Sequence, residues 1–281
     1  MTLSLNRPFV RLTIATAIAF GLQAGLANAQ APSPQIEALQ SAADKGDAEA
    51  LLRLGYAYEG GNGVEKSPEK AFDLYTRAVA AGNAAAKVAL AKAYIAGVGT
   101  TPDAAKGVAL LREADEAGQS EAALQLGYLY SGGKAVPQDM PLAASYYEKA
   151  AKSGNASAQV ALGQLYYNGQ GVTMDPQKGF ALFKQAADAG NVRGLVAAGK
   201  AYASGSGTTQ DLTASIDLYR QAAEKNDPEA LLLLGYAYGD GKGVAANPEV
   251  PRGARHSPCF FATPSSAFSR CRGEHSPASD S

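Results

Sequence analysis

The chain has 281 residues, of which 46 % are hydrophobic; it has no Trp, 31 Gly and a formal net charge of −1. Ala and Gly lead the apolar content, which favours close small-residue helix interfaces over a large aromatic core. Between residues 30 and 250, 19 Lys and Arg stand against 24 Asp and Glu, a net of −5. The basic stripe that neutralises phosphates is missing, so nucleic acid is not an expected partner.

In chain order, the first element is a leader. Arg7 and Arg11 precede an apolar stretch from Leu12 to Leu26, which ends at Ala27, Asn28 and Ala29. A positive start, an apolar middle and an A-x-A end form a secretory signal peptide over residues 1–29, with cleavage after Ala29. The stretch carries Gly21, Gln23 and Gly25 and falls short of the roughly 20 apolar residues of a membrane span. The expected location is therefore periplasmic or secreted, with no stable membrane anchor after cleavage.

The body repeats. Gly46, Gly82, Gly118, Gly154, Gly190 and Asn226 fall at a constant interval of 36 residues. Asn is the usual substitute for Gly where a helix ends in the left-handed conformation. The next residues, Asp47, Asn83, Gln119, Asn155, Asn191 and Asp227, are read as caps that accept the free N–H groups of a following helix A. A second start lies 20 residues further on, at Ser67, Asp103, Asp139, Asp175, Asp211 and Asn247. Pro68, Pro176 and Pro248 follow three of these at the first helical position, which tolerates proline. Each unit is thus helix A, a Gly-rich loop, then helix B. No strand precedes these loops and no G-K-[ST] follows them, so they are structural turns rather than phosphate cradles.

On helix A, Ala50, Leu54, Gly55 and Tyr58 share one face, as do Ala158, Leu162, Gly163 and Tyr166. On helix B, Ala71, Leu74, Tyr75 and Ala78 recur as Gly179, Leu182, Phe183 and Ala186. A Tyr stands in all six units, at 58, 94, 130, 166, 202 and 238. Such a ladder could stack carbohydrate, but at core spacing it reads as packing with the hydroxyl at the edge.

These features resemble a Sel1-like repeat. The resemblance rests on units such as Ala158-Gln159-Val160-Ala161-Leu162-Gly163-Gln164-Leu165-Tyr166, then Gly169-Gln170-Gly171-Val172, then a helix from Lys178 to Gly190. The tetratricopeptide repeat shares the helix-pair plan but has about 34 residues and no G-x-G-V loop. Ala91 and Ala135 stand where glycine is expected, and Leu111 where the family often has Tyr. The resemblance implies an all-α fold, a right-handed α/α solenoid of 36-residue helix-pair repeats. A lone helix B over 30–46 caps it, and full units run 47–82, 83–118, 119–154, 155–190 and 191–226. A sixth helix A follows at 227–240, and the solenoid region extends to residue 250.

Residues 251–281 break the register in mid-repeat. They contain no Leu, Ile, Val, Tyr or Lys, and hold seven Ser, four Pro and all the Cys and His of the chain. This composition reads as disordered, because too little apolar surface is available to offset ordering entropy. The break directly after Asn247-Pro248-Glu249 is what an out-of-frame end would produce. His256, Cys259, Cys271 and His275 are spaced almost like a zinc finger with its residue types reversed. A Cys259–Cys271 disulfide is the milder reading in an oxidising compartment. With no ordered element between these residues, neither metal nor cofactor is expected.

The body has no His or Cys, which removes Ser-His-Asp and Cys-His nucleophiles together with imidazole metal ligands. Carboxylates such as Asp115, Glu116 and Asp73 read as solvated helix surface, and no catalytic residue is assigned. Sel1-like proteins with hydrolytic activity are usually Cys-paired within each repeat, and no such pairs exist here. The expected function is protein–protein interaction, in a scaffold or adaptor. The resemblance to exported bacterial family members places it in cell-envelope or exopolysaccharide assembly or its regulation. Glycan binding on exposed Tyr is the second reading, and a carboxylate-dependent envelope hydrolase the third. Helix A positions 49, 53 and 56 form a stripe whose residues change from unit to unit while framework positions repeat. In helix-pair solenoids the A helices line the concave binding face. The candidate contacts are Arg53, Tyr56, Lys92, Tyr128, Arg193, Lys200 and Tyr236.

Overall fold

The computed structural model describes residues 33–240, with side chains as far as Tyr238. The leader, the Cys/His tail and the helix start at Asn247 lie outside the described residues. Twelve helices and no strand are found among the described residues: α1 Pro34–Asp44, α2 Ala48–Gly60, α3 Pro68–Ala80, α4 Ala84–Ala96, α5 Ala104–Glu116, α6 Ser120–Gly132, α7 Met140–Lys152, α8 Ala156–Asn168, α9 Pro176–Asp188, α10 Val192–Ser204, α11 Leu212–Glu224 and α12 Pro228–Asp240. Even-numbered helices are the A helices of the sequence register, odd-numbered ones the B helices.

Local chemistry sets these boundaries. Asn226 adopts φ +61°, the left-handed conformation that the five preceding glycines hold at φ +74° to +87°. The side chains of Asp47, Asn155, Asn191 and Asp227 each accept the N–H three residues on, at 2.8–3.0 Å. Gln119 makes no side-chain cap, which corrects the sequence expectation: its extra methylene places the amide beyond the geometry that Asn and Asp satisfy. The B helices start in the same way, with Ser67, Asp103, Asp139, Asp175 and Asp211 as side-chain caps. Each of these residues also donates its N–H to the carbonyl of the Tyr nine residues earlier, from Ser67 to Tyr58 (2.9 Å) through Asp211 to Tyr202 (2.9 Å). That bond closes the Gly-rich loop.

The described chain falls into two compact units, one of residues 33–86 and 96–101, the other of 87–95 and 102–240. In the first, Ile36, Leu54, Tyr75 and Ala78 are buried. Arg77 donates to the Ala43 carbonyl at 3.3 Å, and Asn83 to that of Ala48 at 3.3 Å, tying successive repeats together. In the second, Leu111, Leu126, Tyr147 and Leu162 belong to one continuous core, and Phe183 and Leu195 to the next. Burying side chains of this size contributes roughly 1.5–3 kcal/mol each.

The helix-A glycines make room for rings. A Cβ on Gly55, Gly127, Gly163 or Gly199 would lie 2.4–2.6 Å from the ring of Tyr75, Tyr147, Phe183 or Tyr219. Gly in a helix interior costs about 1 kcal/mol relative to Ala, and here the packed aromatic offsets it. The second loop glycine has another task. A Cβ on Gly99 would lie 2.1 Å from the Pro68 carbonyl oxygen, and one on Gly207 2.1 Å from that of Pro176. Ala135 occupies the corresponding place in another loop without a positive φ, so the backbone there takes a different course.

The Tyr ladder is packed, as its spacing implied. Tyr130 is buried and the other five are half-buried. Lys70, Lys106, Lys178 and Arg220 lie 5.0–5.9 Å from the ring centres of Tyr58, Tyr94, Tyr166 and Tyr238, within reach of a cation–π interaction. Arg112 donates to the Tyr130 hydroxyl at 2.8 Å.

Candidate functional site on the A helices

The variable stripe rises from buried aromatics that the sequence reading had assigned only to the core. In the first unit, Tyr56 meets Tyr75 edge-on at 5.4 Å and remains 48 % exposed. Tyr75 in turn bonds Glu59 at 2.5 Å. Burial, and then the Glu59 carboxylate, push the Tyr75 phenol far above its ordinary range. Arg53 pairs with Glu49 one turn back on its own helix at 2.7 Å.

In the second unit Tyr128 meets Tyr147 edge-on at 5.5 Å. Burial raises the Tyr147 pKa; the Ser131 hydrogen bond and the Arg193 charge act in the opposite sense. Arg193, at the first stripe position of α10, is exposed. Tyr236, on α12, is 49 % exposed.

Lys92 and Lys200 are engaged within the protein. Lys92 pairs with Glu121 at 3.4 Å, and Lys200 pairs with Glu229. In both cases the partner lies 29 residues on, at the first stripe position of the next A helix. Where the stripe carries Tyr56 or Tyr128, the residue 29 further on is Ala85 or Ser157. Stripe residues are thus correlated between neighbouring repeats, a relation that single-position variability does not display. Both ion pairs are about half exposed, a setting in which such pairs contribute little.

Two of the three carboxylates considered for acid–base work, Asp115 and Asp73, have structural partners. Asp115 is 8 % exposed and lies 2.7 Å from Lys149; Asp73 lies 3.7 Å from Arg77. Among the described residues, no group of three or more His, Cys, Asp or Glu is arranged to hold a metal. No described helix is long and apolar enough to cross a membrane.

Residues 48–83, 84–118, 120–155, 156–191, 193–227 and 228–250 each match the Sel1 repeat. The chain belongs to the Sel1 repeat family, and its fold class is the all-α, α/α solenoid type built from helix pairs. It is similar to c5321, a protective antigen present in uropathogenic Escherichia coli strains and displaying an SLR fold, at 31 % identity and a TM-score of 0.64. That match covers 75 % of this chain and 45 % of the other, so this chain spans less than half the length of that relative. A Sel1 repeat protein from Oxalobacter formigenes is 28 % identical, with 76 % and 94 % covered and a TM-score of 0.67. Immunity protein Pa5087 from Pseudomonas aeruginosa shares the fold at 23 % identity, with 67 % and 72 % covered and a TM-score of 0.51. No curated protein matches the chain. Sel1-repeat proteins are in general protein-interaction scaffolds, and the family is typically non-enzymatic.

Proposed function

We propose that this chain is an exported protein–protein interaction scaffold that receives its partner on the helix-A stripe, in cell-envelope or exopolysaccharide assembly or its regulation. One observation carries the interaction reading. Tyr56, Tyr128 and Tyr236 occupy the same register position and stay 38–49 % exposed, whereas the framework Tyr75, Tyr147 and Tyr219 are at most 4 % exposed. An exposed Tyr offers a large amphipathic surface at low entropy cost, which suits it to anchor a protein interface. Export rests on the leader, with Arg7 and Arg11, the apolar stretch from Leu12 to Leu26 and the Ala27-Asn28-Ala29 end supplying its three parts.

Affinity capture from a periplasmic extract, comparing wild type with the Tyr56→Ala/Tyr128→Ala variant, tests this reading. Loss of an aromatic anchor is expected to weaken capture by about 2 kcal/mol, or roughly thirtyfold. An unchanged partner set with the double variant refutes the stripe. Retained glycan with no protein partner moves the function to carbohydrate binding, and turnover of a cell-wall substrate moves it to hydrolysis.

A further inference from the structure

Among the described residues, every B helix except α1 follows an A helix of its own. The side chains that these helices turn to it are buried: Tyr75, Leu111, Tyr147, Phe183 and Tyr219 are at most 4 % exposed, and the alanines three residues further on are wholly covered. In α1 the same two register positions hold Leu39 and Ala42, and both stay half-buried. Ala38, on the same side, is exposed. The opposite side of α1 is closed, with Ile36 and Ala43 buried. We infer that the open face of α1 is the seat of this chain's own residues 12–25, which pack there as the helix A of one further unit while the leader remains attached.

These residues lie outside the described part of the chain and are placed by register. Gly25 falls 36 residues before Gly61, which with Gly97, Gly133, Gly169 and Gly205 follows an A helix at φ +64° to +75°. Ile18 and Leu22 fall at the places of Leu54 and Tyr58, and Ala19 at that of Gly55. Ala19 and Leu39 form the telling pair. Where a B helix brings an aromatic ring to this contact, as Tyr75 does, the A helix carries glycine. Where it brings Leu111, the A helix carries Ala91, and both are wholly buried. Leu39 calls for alanine by the same matching of volumes, and Ala19 supplies it.

The departures from register lie away from this contact. Arg11 takes the place of the cap Asp47. Ile14 replaces a small residue at a position that in α10 faces the preceding helix B, where a Cβ on Gly194 would lie 2.7 Å from the Ala186 methyl. α1 itself starts at Pro34 behind the Ser33 cap, two residues later than Pro68 in the register. Seven residues then join Gly25 to Ser33, within the roughly two to eight of a helix–helix connection.

No charge lies between Arg11 and Glu37, so water gives this stretch reason to seek an apolar face. Ala27, Asn28 and Ala29 fall at the places of Gly63, Val64 and Glu65, in a loop where Gly63 and Glu65 are exposed. A cut after Ala29 thus separates the docked helix from α1 without opening the body, and its departure uncovers Leu39 and Ala42. Until then, docking withholds the leader from any other receptor, so folding of the body competes with its use for export.

The test uses the full chain carrying Cys259→Ser/Cys271→Ser and a short thiol–thiol cross-linker. Ala19→Cys/Leu39→Cys should be joined within one chain at least about tenfold faster than Ala17→Cys/Leu39→Cys, because Ala17 stands at the outward stripe position of Arg53. In hydrogen exchange, Ala19→Asp should speed the α1 amides by about tenfold, while Ala17→Asp leaves them unchanged. Tyr56→Ala/Tyr128→Ala should cross-link as fast as its parent, so failure of the stripe and failure of leader docking are read separately. Equal rates for the two cysteine pairs, or equal effects of the two Asp variants, overturn the proposal. Cross-links that join two chains also overturn it, by making a second copy the occupant.

Discussion

Two helix pairs of the second unit solve one packing problem with opposite residues. Between α6 and α7, Gly127 clears space for the Tyr147 ring, whose Cε1 and Cδ1 would each lie 2.4 Å from a Cβ there. Between α4 and α5 the corresponding residues are Ala91 and Leu111, both wholly buried. The ring is gone and the methyl has returned. At the other end of the interface the exchange runs the other way. Ser131 and Ala143 in α6 and α7 become Ile95 and Gly107, and a Cβ on Gly107 would lie 2.4 Å from Ile95 Cγ1. What the repeat pairs is volume: in each case a glycine stands opposite the bulky side chain. Residues that look like departures from the pattern are matched pairs, as close-packed interiors require.

The sharpest way to break this comparison is Gly127→Ala, which should destabilise the protein by about 1–3 kcal/mol in urea denaturation through overpacking. The reciprocal Ala91→Gly should cost no more than about 1 kcal/mol, the helix-propensity term. Equal effects at the two sites would show that Tyr147 can move aside. Next in size, Leu111→Tyr should cost on the order of 1–2 kcal/mol alone and less when combined with Ala91→Gly; a double-mutant cycle should return a coupling of about 1 kcal/mol. Strict additivity would contradict the volume argument.

The smallest effect is one of pH. Burial raises the Tyr147 phenol above its ordinary value of 10.0, so near pH 10 the unfolded chain ionises while the native phenol stays neutral. Its contribution is present below pH about 10 and is lost above it, at up to about 1.4 kcal/mol per pH unit. Tyr147→Phe should remove that part of the alkaline slope, as measured from denaturation midpoints between about pH 9 and 11. Leu111, the residue at this place in the other pair, contributes no such slope.

Much of the helix phase was legible, because each boundary is signalled by the chemistry of one or two adjacent residues. Asn226 in place of Gly announced its own left-handed backbone, and Asp211 its own cap. The candidate stripe was legible only in part. Tyr128 could be found by its variability, but its support on Tyr147 lies 19 residues away on another helix. Lys92 stood as a candidate contact by position alone, and its pairing with Glu121 appears only when neighbouring repeats are set side by side. Ala91 and Leu111 read separately as departures from the family pattern because a sequence lists positions, whereas packing acts on pairs. Gln119 misled by resembling a cap in type while differing in reach.

The loop glycines bear on how such a protein diversifies. At Gly99 and Gly207 the spacing to the preceding repeat is set by main chain resting against main chain, at Pro68 and Pro176. Side chains on the exposed stripe take no part in that contact. Under the proposed function, Tyr56, Tyr128 or Arg193 can change for a new partner without altering the spacing of repeats, while a single methyl added at Gly99 would disturb it at once. Tolerance and intolerance to mutation are thus assigned to separate surfaces, and the lineage is free to change what it binds while keeping the ruler it is measured on.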